Sequence, residues 1–160
     1  MRKVERSIAY TEYDSPKELS QEEQQLLQEA KRATEGSYSP YSHFAVGAAV
    51  LLENGEIITG SNQENAAYPV GLCAERVALF YASHKYPDIA VKAIAITARS
   101  EIHSIQEPVK PCGSCRQVMA ETEYRSKQKM KILLQGNTDK IIMLNGTDNL
   151  LPFSFNGDDL

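Results

Sequence analysis

The sequence predicts an α/β domain in which helices pack on a mixed five-stranded sheet. Three features lead there: a capped amphipathic segment near the start, an Asn-Gly turn between two apolar runs, and two late strands separated by a very short link. Residues 1–19 are polar and mixed in charge, and read as an extension packed loosely on a domain spanning 20–160. Ser20 followed by Glu23 fits a capping box, and Leu26, Leu27 and Ala30 then recur at helical spacing. Gly36 is expected to close that helix with a positive φ. Phe44 to Glu53 reads as a strand, Asn54-Gly55 as a hairpin turn, and Glu56 to Gly60 as the returning strand.

After a loop from Ser61 to Leu72, a helix is expected from about Cys73 to His84. Ala90 to Ala98 is apolar nearly throughout, which suits a central strand buried on both faces. The loop from Arg99 to Pro111 leads into a helix from Cys112 or Gly113 to about Thr122. Met130 to Leu134 and Lys140 to Leu144 complete the strands. Only Gln135 to Asp139 lies between them, too short for a parallel crossover, so they form an antiparallel hairpin.

Composition narrows the class. The chain has 160 residues, 42% apolar and 24% charged, enough for one substantial core. Seventeen basic against twenty-one acidic side chains give a net charge of −4, which argues against a polynucleotide surface. The longest apolar run, Phe44 to Leu52, is far short of the ~20 residues of a membrane span. No secretory leader is visible, and the three cysteines are an odd number, so a reducing, cytoplasmic setting is expected.

Those cysteines carry the chemistry. Cys73 and Cys112 each stand at the first turn of an expected helix, where free N–H groups favour a thiolate. Cys115 follows one turn after Cys112. Three thiolates can occupy three corners of a tetrahedron around one Zn²⁺ per chain, and no histidine lies in either motif to supply the fourth. Structural sites close with four protein ligands and catalytic ones leave a position open, so catalysis is favoured. Glu75, two residues after Cys73, is placed to move protons rather than to ligate. Arg76 is placed to offset the thiolate charge by hydrogen-bonding to sulfur. A thiol redox pair would leave Cys73 and Glu75 without purpose, and a structural zinc module would need a ligand brought from afar.

Cys73-Ala74-Glu75 with Pro111-Cys112-Gly113-Ser114-Cys115 is the three-cysteine form of the zinc deaminase signature. The segments Tyr41 to Ala49, Asn62 to Pro69 and Leu150 to Phe155 add to it. Over about residues 20–160 the chain resembles the homotetrameric cytidine deaminases. The resemblance implies a three-layer α/β/α sandwich, a homotetramer, and hydrolysis of cytidine and deoxycytidine to uridine and deoxyuridine in pyrimidine salvage. It implies zinc on Cys73, Cys112 and Cys115, with Glu75 as proton shuttle. Asn62 and Glu64 would bind the ribose 3′-hydroxyl and Phe44 would pack on the pyrimidine. Ala66, through its backbone, and Tyr68 would touch the nucleoside, and Phe155 would serve a neighbouring subunit's site. The expected partner is a small nucleoside, with neither nucleic acid nor membrane.

Each of these residues also has a plainer role open to it. Phe44 opens a buried strand, Asn62 and Glu64 lie in a loop, and Phe155 suits an edge cover. Residues 1–19 and Phe153 depart from the family pattern. Transfer-RNA and other polynucleotide deaminases use a histidine where Cys73 stands and want a basic approach surface. A blasticidin-type deaminase shares the three-cysteine site, and Asn62 with Glu64 lean towards the nucleoside.

Overall fold

The computed structural model describes residues 1–160 and is built from six strands and three α-helices. Helix α1, Gln21–Ala33, starts as its capping box requires. Ser20 Oγ accepts the Glu23 N–H at 3.3 Å, and Glu23 Oε2 accepts the Ser20 N–H at 3.0 Å. Leu26, Leu27 and Ala30 are buried on one face, while Glu22 and Lys31 sit at the ends the helix dipole favours. The end differs from expectation. Gly36 does not have a positive φ, and the helix instead tightens into a single 3₁₀ turn over Thr34–Gly36. The Thr34 hydroxyl donates to the Lys31 carbonyl at 2.7 Å, and the Ser37 N–H donates to the Thr34 carbonyl at 3.2 Å. These bonds satisfy terminal carbonyls without a left-handed residue.

Strands β2, Phe44–Leu52, and β3, Ile57–Ser61, form the expected hairpin, with Gly55 at φ 86° in its turn. Helix α2, Ala74–Lys85, strand β4, Val91–Ser100, helix α3, Gly113–Ser126, and strands β5, Lys131–Gln135, and β6, Ile141–Asn145, follow in order. β2 pairs antiparallel with β4, and β4 pairs parallel with β5 through the α3 crossover. β5 and β6 are antiparallel, as their short link dictates.

The sheet has six strands, not five. Thr11–Tyr13, which the sequence predicts to be part of a loose extension, is instead a strand, β1, paired antiparallel with Ile141 to Met143 of β6. The sheet order is therefore β1-β6-β5-β4-β2-β3. β1 has three residues, two exposed and one half-buried, so it carries no alternation that a sequence pattern could reveal.

Alternate residues of the central strands serve opposite faces. Val50, Leu52, Ile94, Ile96, Ile132 and Leu134 pack with α2 and Met119 of α3. Ala49, Leu51, Ala93, Ala95 and Leu133 pack with Leu26, Leu27 and Ala30 of α1. Three layers result, with α1 on one face of the sheet and α2 and α3 together on the other. Each fully buried Leu or Ile contributes roughly 1.5–3 kcal/mol. Seating of α2 depends on Gly60. A Cβ there would lie 2.6 Å from both the Ala74 carbonyl oxygen and the Ala78 nitrogen. The missing side chain brings the first turn of α2 directly onto β3.

Candidate functional site

Two helix starts meet on that face. Cys73 is the N-cap of α2 and Cys112 the N-cap of α3, both with extended backbone and neither with its side chain tied to a capping bond. The sulfurs are thus free to turn towards each other. Cys73 Sγ lies 3.9 Å from Cys112 Sγ, and Cys112 Sγ lies 3.5 Å from Cys115 Sγ. All three sulfurs fall within 4.8 Å of one another and none is in a disulfide. With Zn–S near 2.3 Å, tetrahedral sulfurs stand about 3.8 Å apart, so the three thiols fit one zinc ion. Cys115 is buried, whereas Cys112 is exposed and leaves an approach from solvent.

The charges around the cluster are unequal. Hydrogen bonding from Cys115, and then from Arg76 and Cys112, holds the Cys73 thiol down at about 5 against its partial burial. Cys115, donating to Cys73 and buried, is pushed up. Arg76 Nη2 lies 3.7 Å from Cys73 Sγ, and its Nε is buried with no partner. Glu75 is 4% exposed in the first turn of α2. Burial raises its pKa, and the negative charge at Cys73 adds to that.

Beside the cluster opens a cleft of about 470 Å³, lined by Tyr41, Ser42, Asn62, Glu64, Tyr68, Cys73 and Arg76 among others. Asn62 follows directly on β3. Its Oδ1 accepts from Ser37 Oγ at 2.6 Å and from the Val46 N–H at 2.8 Å, and its Nδ2 donates to the Phe44 carbonyl at 2.9 Å. Both acceptor sites of that amide are filled, and one of its two donors is free. Glu64 Oε2 accepts the Tyr41 N–H at 2.9 Å and the Ser42 N–H at 3.2 Å, while Oε1 accepts the Ser42 hydroxyl. Those bonds, the Ser42 hydroxyl's first among them, hold the Glu64 carboxyl below its ordinary range. One acceptor site is left on Oε1. The pair therefore offers one donor and one acceptor, the complement of a single hydroxyl.

The other expected residues are more scattered. Phe44 is half-buried at the start of β2 and does not line the cleft. Ala66 is exposed, in a turn where the Ala67 N–H donates to Asn65 Oδ1 at 2.9 Å. Tyr68 is exposed at the cleft mouth, its ring centroid 6.0 Å from that of Tyr41. Phe155 is also exposed, outside the cleft, with its carbonyl accepting from Gln117 Nε2 at 2.7 Å. Two contributors went unassigned in the sequence reading. Ser42 lies inside the Tyr41 to Ala49 segment, and its residue type alone does not mark it as a partner of Glu64. Arg116, one turn after Cys112, donates from Nε to the Pro111 carbonyl at 2.9 Å and from Nη1 to the Leu150 carbonyl at 2.9 Å. It pins the approach to Cys112 against the C-terminal segment.

Comparison with known proteins agrees with this geometry. Residues 20–129 match the family described as the cytidine and deoxycytidylate deaminase zinc-binding region. A cytidine deaminase of Halalkalibacterium halodurans is 42% identical over 139 residues, covering 86% of this chain and 96% of that protein. One from Sporosarcina psychrophila is 41% identical over 137 residues, covering 86% and 93%. The crystal structure of a cytidine deaminase from Burkholderia pseudomallei superposes with a TM-score of 0.72 at 36% identity, covering 82% of this chain and 97% of that one. With the match spanning both cysteine motifs and the helices that carry them, this chain belongs to the cytidine and deoxycytidylate deaminase zinc-binding family.

Proposed function

We propose that this chain is a zinc-dependent cytidine deaminase, converting cytidine and deoxycytidine with water to uridine and deoxyuridine and releasing ammonia. The observation that carries the reading is the trio Cys73, Cys112 and Cys115 with the Glu75 carboxyl buried beside it. Zinc held by the three sulfurs would supply Lewis-acid activation of water and stabilise the charge that develops at the reacting carbon. Glu75 takes the proton that water gives up and delivers it to the ring nitrogen beside the amine-bearing carbon. Once the water oxygen is bonded to that carbon, Glu75 takes the remaining proton of the new hydroxyl and passes it to the amine, which leaves as ammonia as the C–N bond breaks and the carbonyl forms. Its burial keeps bulk water from exchanging with that proton midway. Arg76, against Cys73, tempers the negative charge of the sulfurs.

One free donor on Asn62 and one free acceptor site on Glu64, both in the lining of the same cleft, support their reading as a pair for the ribose 3′-hydroxyl, which both nucleosides possess. Tyr68, at the cleft mouth, closes over the nucleoside and Ala66 meets it through its backbone, while Phe44, which is outside the cleft lining of the free chain, would reach the pyrimidine from the start of β2. The activity resides in residues 20–160, with 1–19 an addition to it. The chain works as a homotetramer in which Phe155 completes a neighbour's site. Its free thiols suit the cytoplasm, and salvage of pyrimidine nucleosides is the expected setting. No helix of the protein is long and apolar enough to cross a membrane.

Ultraviolet spectra of the zinc-loaded protein mixed with cytidine test the reading. Wild type converts cytidine to uridine, and Glu75→Gln is slower by on the order of 10²–10⁴ while still holding about one zinc per chain. Absence of conversion by zinc-loaded wild type would overturn it.

A further inference from the structure

We propose that Ser42 is a positioning residue for hydroxyl recognition, fixing Glu64 and the Phe44 peptide together through one side-chain oxygen. The inference rests on the reading of Asn62 and Glu64 as the hydroxyl-binding pair. Ser42 Oγ accepts the Phe44 N–H at 3.1 Å, and its single proton goes to Glu64 Oε1. The carbonyl of the same Phe44 accepts from Asn62 Nδ2 at 2.9 Å. The first residue of β2 is thus held on its N–H side through Ser42 and on its carbonyl side by Asn62.

Glu64 needs the serine for a geometric reason. The N–H groups of Tyr41 and Ser42 hold Oε2 only. A carboxylate fixed at one oxygen still swings about that point, and one fixed at both oxygens has its plane set. The Ser42 hydroxyl supplies the second fixed point and occupies one of the two acceptor sites of Oε1. The other is left open, on a residue that lines the cleft. The segment that presents Ser42 is itself tightly turned, with the His43 N–H donating to the Ser39 carbonyl at 3.0 Å and His43 at φ 53°. Without the hydroxyl, Oε1 would share its two sites with water, and its bond to a ligand hydroxyl would lose direction.

Calorimetric binding of uridine and 3′-deoxyuridine to the zinc-loaded protein tests this, with cytidine turnover measured alongside. Ser42→Ala is expected to weaken uridine roughly three- to tenfold and leave 3′-deoxyuridine within about twofold. The KM for cytidine rises with it, kcat stays within about twofold, and the melting temperature is unchanged. Ser42→Thr, which keeps the hydroxyl, restores uridine binding. Equal weakening of both ligands by Ser42→Ala, or no weakening of uridine, would overturn the proposal. Equal affinity of wild type for the two ligands would refute the hydroxyl pairing and the proposal together. Wild type that neither binds uridine nor turns over cytidine would refute the function itself, and this inference with it.

Discussion

At the first turn of α1 the Glu23 carboxylate accepts from Lys131 Nζ at 2.7 Å through Oε1, while Oε2 accepts both the Ser20 N–H at 3.0 Å and the Ser20 hydroxyl at 2.8 Å. One side chain so caps its own helix and ties it to β5. Burial alone would raise its pKa, but the bonds from Lys131 and Ser20 outweigh burial and hold it below the ordinary carboxylate range. The folded state therefore binds the proton less readily than the unfolded chain does. The stabilisation is complete above roughly pH 4.3 and drains away as pH falls through the lower folded value. Glu23→Gln should cost about 1 kcal/mol at pH 7 and progressively less below about pH 4, read as urea midpoints along a pH series. A loss of constant size down to pH 3 would show that the charge is not what stabilises. Half of this arrangement was legible, since Ser20 and Glu23 form a local motif, whereas Lys131 is brought in only by the fold. The site divides along the same line. Cys73, Glu75, Cys112 and Cys115 sit at short, chemically distinctive spacings that survive in a bare sequence. The hold on Glu64 is made partly by the Tyr41 and Ser42 N–H groups, and a backbone donor leaves no mark on residue identity.

Among the elements, α2 matters most for the site because its N-cap is Cys73. Its position is set from below by Gly60, where a Cβ would meet backbone atoms of Ala74 and Ala78 at 2.6 Å, a contact that no side-chain rotation relieves. Gly60→Ala should therefore lift the start of α2 from β3, costing about 1–3 kcal/mol and roughly 3–10 °C in Tm. Zinc retention should fall as Cys73 moves away from Cys112 and Cys115. Gly113→Ala is the matched control, since a Cβ at that first position of α3 meets nothing within 4 Å. It should leave Tm unchanged or raise it slightly, alanine being the better helix former. Parallel melts and metal analysis of the two variants decide it, and equal effects would remove Gly60 from the account. The elements easiest to read from sequence were those whose cause is local, such as the capped start of α1 and the Gly55 turn. β1 could not be read, because three mostly exposed residues become a strand only when the edge of β6 offers them partners. The end of α1 failed for a subtler reason. Gly36 suggested a left-handed cap, yet the Thr34 hydroxyl and a 3₁₀ turn met the same carbonyl requirement by another route.

On the scale of the whole molecule, aromatic side chains stand exposed in several places: Tyr68 at the cleft, Phe80 and Tyr81 on α2, and Phe153 and Phe155 in the C-terminal segment. Exposed aromatics of this kind suit interfaces, where rings are buried at modest entropic cost. Phe153 also has a positive φ, 64°, and the Arg6 guanidinium lies 4.9 Å from its ring centroid, so the first residues of the chain reach the same segment. Light scattering is expected to give the mass of four chains. A sharper consequence follows from Phe155 lying outside its own chain's cleft. If it completes a neighbour's site, two defective chains should repair each other. Glu75→Gln lacks the proposed proton carrier but keeps its Phe155, and Phe155→Ala lacks the ring but keeps its Glu75. In a mixed tetramer, an intact Glu75 on one chain can meet an intact Phe155 from the next. Co-expressed chains should then show cytidine turnover above the summed activity of the two variants made separately. Activity equal to that sum would mean that Phe155 completes no neighbour's site, and the shared site would have to be abandoned while the reading of the metal cluster and Glu75 stood.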